Sequence, residues 1–304
     1  MKTSYIEDKN LLAYCINKRD YSKITLLIKE SKKSFDYVAE DGEDIFAYKI
    51  KKIPQLTDIY NFDVFAINFS FNNIEHEFND KQIKLMESLV KHLSNSMNNI
   101  KGYFIIKVPS DNLMLIDQLN MHINKYVFAG GTVCYYTNEL TPKKFQEDGL
   151  NIRFITKEEK IKFKDQLLES GRKSFENYFG QYHISYVTRE KAPAIYENWV
   201  RDYILEDNGD IILATYGEDV AGFFNIDNQS DAIELVLGAV NEKYRGANIY
   251  ERMIRAAVEM GIKDNKLATI STQFDNYFAQ RSMVNIGFKP YYSFYLMHYN
   301  NLQL

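Results

Sequence analysis

Glu234-Leu-Val-Leu-Gly-Ala-Val240 is followed directly by Asn241-Glu-Lys-Tyr-Arg245-Gly246-Ala247-Asn248-Ile249-Tyr250. The first stretch is an apolar strand and the second a tight polar loop, after which Ile249, Met253, Ala256/Ala257 and Met260 recur at helical spacing. Strand, loop and helix in that order bring backbone N–H groups and the positive end of a helix dipole to one point. A pyrophosphate can be held there with few cationic side chains. Arg245 adds one charge to that point. An ordinary surface turn with a solvated arginine has the same local pattern, so the surrounding chain must discriminate.

Downstream, Leu267 to Thr272 reads as a strand, Asn276 to Ile286 as a helix stopped by Gly287, and Phe288 to Tyr299 as an aromatic-rich strand. Upstream, Asn151 to Ile155 is a strand, Lys160 to Phe175 and Ala192 to Leu205 are helical, and Asp210 to Ile226 is a hairpin turning at Gly217-Glu218-Asp219. The N-terminal half has the same succession. A strand at Asp63 to Phe69 leads to a helix opened by Asp80, with Ile83, Met86, Leu89/Val90, Leu93 and Met97 on one face. Gly102 to Val108 is the next strand, Asp111 to His122 the next helix, and Tyr126 to Tyr136 is interrupted by Gly130-Gly131, a two-residue hairpin signal. Aligning strand with strand and helix with helix gives a repeat of roughly 165 residues. The polar stretch from Asn138 to Gly149, with Pro142, has the composition of a linker, so domains of 1–147 and 148–304 are expected.

A chain of 304 residues with 45% hydrophobic and 26% charged residues is folded and has room for two cores. The net charge of −4 without a long basic run gives nucleic acid no electrostatic footing. Cys15 and Cys134 form neither a CxxC nor a Cys/His ligand spacing, so no disulfide framework and no metal site is expected, and a reducing cytoplasm fits. The stretch after Met1 lacks an apolar leader core, and no apolar run reaches about 18 residues, so neither secretion nor a membrane span is expected.

The Arg245-Gly246 loop between its strand and helix resembles the GNAT superfamily of acyl-CoA N-acyltransferases, whose signature is Arg/Gln-x-x-Gly-x-Gly/Ala. Asn248 stands where that family has glycine, and Tyr250 where it has glycine or alanine; asparagine tolerates left-handed backbone better than most residues. Thr272-Gln273 followed by Asn276 and Gly287-Phe288, together with Tyr182-His183 and Tyr196-x-x-Trp199, is similar to the dTDP-fucosamine-type acetyltransferases, which acylate the amine of a nucleotide-linked deoxysugar. The fold implied is α/β (α+β): two tandem GNAT-like domains with mixed, mostly antiparallel sheets flanked by helices, the N-terminal copy degenerate. That copy shows neither arginine nor glycines of a phosphate loop over Asn68 to Asp80.

The resemblance implies acetyl-CoA as co-substrate, no metal, and cofactor contacts from Leu237, Gly238, Ala239 and Val240 on the strand. Arg245, Gly246, Ala247, Asn248, Ile249 and Tyr250 would follow in the loop and helix start, with Asn276 on the pantetheine arm. Asn276 is equally suited to capping a helix. Gly238 marks a bulge or a close backbone approach. Alternation places Glu234 on one face with Val236 and Gly238, and a carboxylate in an apolar strand is either a base or half of an ion pair. His183 is the second candidate base, with a structural role as its alternative. The branch's acid is a tyrosine, and its position here is Met283. The function expected is N-acetyl transfer to a primary amine, foremost on a nucleotide-linked amino sugar. Peptide, protein or small-metabolite amines are the alternative acceptors, and an inactive acyl-CoA-binding protein is the alternative class; a homodimer is left open.

Overall fold

Asp41-Gly42-Glu43-Asp44 turns the chain with Gly42 at φ +67, joining β1 (Tyr37–Asp41) to β2 (Asp44–Lys52) in a hairpin that pairs Asp41 with Asp44. Only a residue without Cβ takes that left-handed geometry freely. The computed structural model describes residues 32–71, 78–176, 178, 180–184, 189–205 and 209–302. After β2 come α1 (Pro54–Tyr60), β3 (Val64–Phe71), α2 (Asp80–Asn99), β4 (Gly102–Pro109), α3 (Leu113–His122) and β5 (Tyr126–Thr137). Helix α2 opens on a reciprocal Asn79–Gln82 capping box and buries Met86, Leu89, Val90, Leu93 and Met97, the stripe its periodicity predicts.

The chain continues through β6 (Asn151–Phe154), α4 (Lys157–Lys162), α5 (Lys164–Ser174), α6 (Gln181–Ile184) and α7 (Ala192–Leu205). Then follow β7 (Asp210–Tyr216), β8 (Asp219–Asn228), β9 (Ala232–Val240), α8 (Ile249–Lys263), β10 (Leu267–Gln273), α9 (Tyr277–Ile286) and β11 (Lys289–Asn301). Apart from α1, which has no counterpart, the run β1-β2-β3-α2-β4-α3-β5 returns as β7-β8-β9-α8-β10-α9-β11; from β3 and β9 onward this is the repeat read from the sequence. In each copy the strand before the long helix pairs in parallel with the strand after it: Val64 to Ile67 with Tyr103 to Ile106, and Ala232 to Leu235 with Leu267 to Ile270. All the other pairings described are antiparallel.

Of the described residues, those in 133–291 form one compact unit and those in 32–132 with 292–302 the other, so the chain changes unit inside β5 and again inside β11. In the first unit the strand order is β1-β2-β3-β4-β11, with Phe294 to Asn301 antiparallel to Pro109 to Gly102. In the second it is β10-β9-β8-β7-β6. The Gly130-Gly131 hairpin does not form. Strand β5 runs unbroken through both glycines, with Gly130 at φ +100, so the pair sits inside a strand rather than in a turn. The linker-like stretch 138–149 lies within the second unit, where Thr141 N donates to Ile286 O and Arg252 pairs with Asp148 at 2.7 Å.

The first unit's core is α2 and α3 packed on Phe46, Tyr48, Ile67, Phe104 and Ile106. It also encloses one imidazole: His298 on β11 is 2% exposed, with Nδ1 on the Tyr103 hydroxyl at 2.9 Å and Nε2 without a partner. Burial pushes its pKa down from 6.5 to about 4. Above pH 6.5 the ring is neutral folded or unfolded; as pH falls below that value only the unfolded chain takes the proton. This group therefore removes on the order of 3 kcal/mol of stability between pH 7 and pH 4. Urea midpoints at the two pH values should show the loss, and His298→Asn should diminish it.

Candidate active site

The β8–β9 ladder pairs Asn225 with Leu237 but Ile226 with Leu235, so Val236 is an extra residue in β9. On its other side β9 pairs with β10 only as far as Leu235 and Ile270. Beyond that point the two parallel strands part. The backbone of Val236 to Val240 is left without a described ladder partner on the β10 side, which gives a row of donors and acceptors for an extended ligand.

The bulge also reassigns the faces. Residues opposite one another on antiparallel strands point the same way, so Glu234 goes with Asp227, and Leu237 with Asn225, on the face toward α7; Asn225 Nδ2 reaches the α7 carbonyl of Trp199 at 3.4 Å. Gly238 goes with Phe224 on the opposite, α8-covered face. Strict alternation had Glu234, Val236 and Gly238 together; one inserted residue breaks that rule. Gly238 is a point of close approach: a Cβ there would lie 2.3 Å from the Phe224 ring. Phe224 in turn packs on Tyr250 with ring centroids 5.3 Å apart, so the glycine, the phenylalanine and the helix start form one stack.

Past β9, Glu242–Tyr244 make a single 3-10 turn, Gly246 takes φ +89, and Asn248 takes φ 56, ψ 19 immediately before α8. Asn248 adopts the left-handed conformation and makes no side-chain cap, so the first-turn N–H groups of α8 have no side-chain acceptor from it. A turn of bare N–H groups beside glycine fits a pyrophosphate. Arg245 is exposed and lines a cleft of about 430 Å3 with Lys173, Lys243, Glu169, Asp219 and Glu242. Lys243, which the sequence reading passed over, pairs with Asp219 at 2.8 Å, and that carboxylate raises its pKa.

Asn276 caps α9 through Ala279 N at 3.2 Å, donates to Thr272 Oγ1 at 3.1 Å, and shares a hydrogen bond with the Tyr178 side chain. Burial foremost, then the Asp275 charge, pushes Tyr178 up to about 12, so its hydroxyl keeps its proton at neutral pH. Met283 is fully buried in the core with α8. Glu234 is half-buried and accepts from Gln229 Nε2 at 3.3 Å. Opposite it, Asp227 accepts from the Tyr203 hydroxyl; burial foremost, then Asp227 and Glu234, raise that tyrosine's pKa. His183 lies elsewhere, on α6, its ring stacked on Tyr196 at 6.3 Å. It is 8% exposed, neither ring nitrogen has a partner, and burial, with Arg189 second, lowers its pKa. Among the described residues no group of three or more His, Cys, Asp or Glu is placed to hold a metal, and no helix is long and apolar enough to cross a membrane.

The fold as a whole is similar to that of several solved structures. A GCN5-related N-acetyltransferase from Sphaerobacter thermophilus superposes with a TM-score of 0.55 at 10% identity, over 84% of this chain and 76% of that one. The chain has the GNAT fold. A GNAT-family acetyltransferase from Colwellia psychrerythraea gives a TM-score of 0.52 at 10% identity, covering 92% of this chain and 97% of that one. A functionally unknown conserved protein from Staphylococcus epidermidis gives 0.50 at 14% identity, over 90% and 97%. No protein-family model and no curated protein sequence matches the chain. Of the N-terminal copy's Asn68 to Asp80 region, residues 72–77 lie outside the described residues.

Proposed function

We propose that the chain is an N-acyltransferase that moves an acetyl or similar small acyl group from acyl-CoA to a primary amine, with a nucleotide-linked amino sugar as acceptor. The observation that carries the acyl-transfer reading is the parting of β9 from β10 at Val236 beside the uncapped start of α8. Acyl-CoA supplies an activated thioester. The backbone of Leu237, Gly238, Ala239 and Val240 holds its pantetheine arm, one N–H near the bulge faces the thioester oxygen, and Asn276 meets the arm from the start of α9. Arg245, Gly246, Ala247, Asn248, Ile249 and Tyr250 hold the pyrophosphate. Glu234, on the α7 face, takes the amine's proton through water as the C–N bond forms. His183 is the second reading for that role, favoured by its two unpartnered, buried nitrogens. The N-terminal copy serves as structure. An acyl-CoA-binding protein without turnover is the second reading of the whole, favoured by Met283 in place of an acid.

Calorimetric titration of acetyl-CoA tests the donor site before any acceptor is identified. Saturable binding is expected, weakened about tenfold or more in Arg245→Ala, as the loss of a hydrogen bond to a charged group implies. Well-folded protein that binds neither CoA nor its acyl forms would overturn the reading.

A further inference from the structure

Buried polar atoms nearly always have partners, so a cluster without them needs a cause. On the α7 face of the second unit three side chains carry such atoms: Asn225 Oδ1, Trp199 Nε1 and both nitrogens of His183. Asn225 has no exposed surface and His183 is 8% exposed. They gather around two rings of α7. Trp199 lies 5.7 Å from Tyr196 and 6.0 Å from Tyr182, His183 stacks on Tyr196, and Asn225 Nδ2 is fixed on the Trp199 carbonyl. With its NH2 group committed there, the amide presents Oδ1 elsewhere; turning it over would set oxygen against oxygen. Asn225 stands opposite Leu237, one residue beyond the bulge.

A buried carbonyl oxygen with no donor, on a side chain bonded to the backbone of Trp199 in the Tyr182–Tyr196–Trp199 ring cluster, suits an ammonium group: N–H bonds go to the oxygen and nearby rings add cation–π attraction. We infer that Asn225, with Tyr182, Tyr196 and Trp199, forms the pocket for a primary amine borne on an apolar or ring-shaped body, and that Asn225 Oδ1 sets the direction of the amine nitrogen. This rests on the acyl-transfer reading for its purpose but not for its geometry. Asn225 is a positioning and specificity residue; Glu234 shares its sheet face and keeps the proton-accepting role.

Trp199 is the only tryptophan in the chain, so its emission reports this pocket. The full chain is titrated with benzylamine and, as the uncharged isostere, benzyl alcohol. Benzylamine is expected to shift the emission saturably and to bind about tenfold more tightly than the alcohol; Asn225→Leu should remove that preference while acetyl-CoA binding is unchanged. Asn225→Asp, nearly isosteric, should tighten benzylamine and decides the matter where the leucine variant does not fold. Equal binding of amine and alcohol, no saturable change, or no tightening in Asn225→Asp overturns the inference. Acetyl-CoA binding without an amine response overturns this inference alone. An amine response without acetyl-CoA binding leaves the pocket standing and counts against the acyl-transfer reading alone.

Discussion

Glu251→Ala should destabilise the 133–291 unit by about 3–5 kcal/mol, the usual consequence of removing one partner from a buried ion pair. The Glu251 side chain is 7% exposed; its Oε1 accepts from Arg255 Nε at 3.0 Å and its Oε2 from Lys143 Nζ at 2.6 Å. Arg255 is 8% exposed, donates Nη1 to the Thr141 carbonyl at 2.6 Å, and has no partner for Nη2. Without the carboxylate, a buried guanidinium keeps one carbonyl as compensation. The Lys143 ammonium, half out in solvent, loses less. Urea unfolding followed by Trp199 emission reads the effect, since that residue lies in the same unit. Added salt should rescue little, because a buried pair is weakly screened. Replacing Glu251 and Arg255 together by Leu and Met should recover most of the loss; no destabilisation in Glu251→Ala would show the pair to be energetically idle.

Glu234→Gln should lower kcat/KM for acyl transfer by about 10²–10⁴, the range a general base supplies, without changing the acetyl-CoA affinity. Glutamine keeps the volume and can still accept from Gln229, so the fold and the donor site have no reason to respond. The decisive companion is His183→Gln. Its ring touches Tyr196 rather than the β9 strand, so a smaller loss is expected. If His183→Gln carries the large loss and Glu234→Gln does not, the proton leaves through the imidazole and the assignment is reversed.

The repeat and the long helices were legible because they rest on periodicity, which survives when identity does not. The stripe of Met86 to Met97 and the stop at Gly287 are of this kind. Asp41-Gly42 carried a hairpin signal as clear as the one at Gly217, and its hairpin was left unread. Gly130-Gly131 is the opposite case, since paired glycines are accommodated inside a strand as well as in a reversal. The face of Glu234 could not be read from β9 alone: a bulge is a property of two strands, and only the pairing with β8 shows that Val236 is the additional residue. Asn225 had a signal that went unused. It is an amide between Phe224 and Ile226 in a run buried from Val220 to Ile226, where an apolar side chain is the ordinary choice.

The change of unit inside β5 and β11 has a consequence for how the molecule is made. The first unit's β4 pairs with β3 on one side, and on the other side its partner is residues 294–301. A ribosome must therefore deliver residue 301 before the earlier unit can close, whereas sequential synthesis usually lets the earlier unit finish first. Until then β4 is a bare sheet edge, with every opportunity to pair with another nascent chain. A gene cut at codon 148 separates those strands for good. Each product would then carry an orphaned strand, and mixing the two fragments, rather than expressing either alone, is the route by which soluble material should be regained.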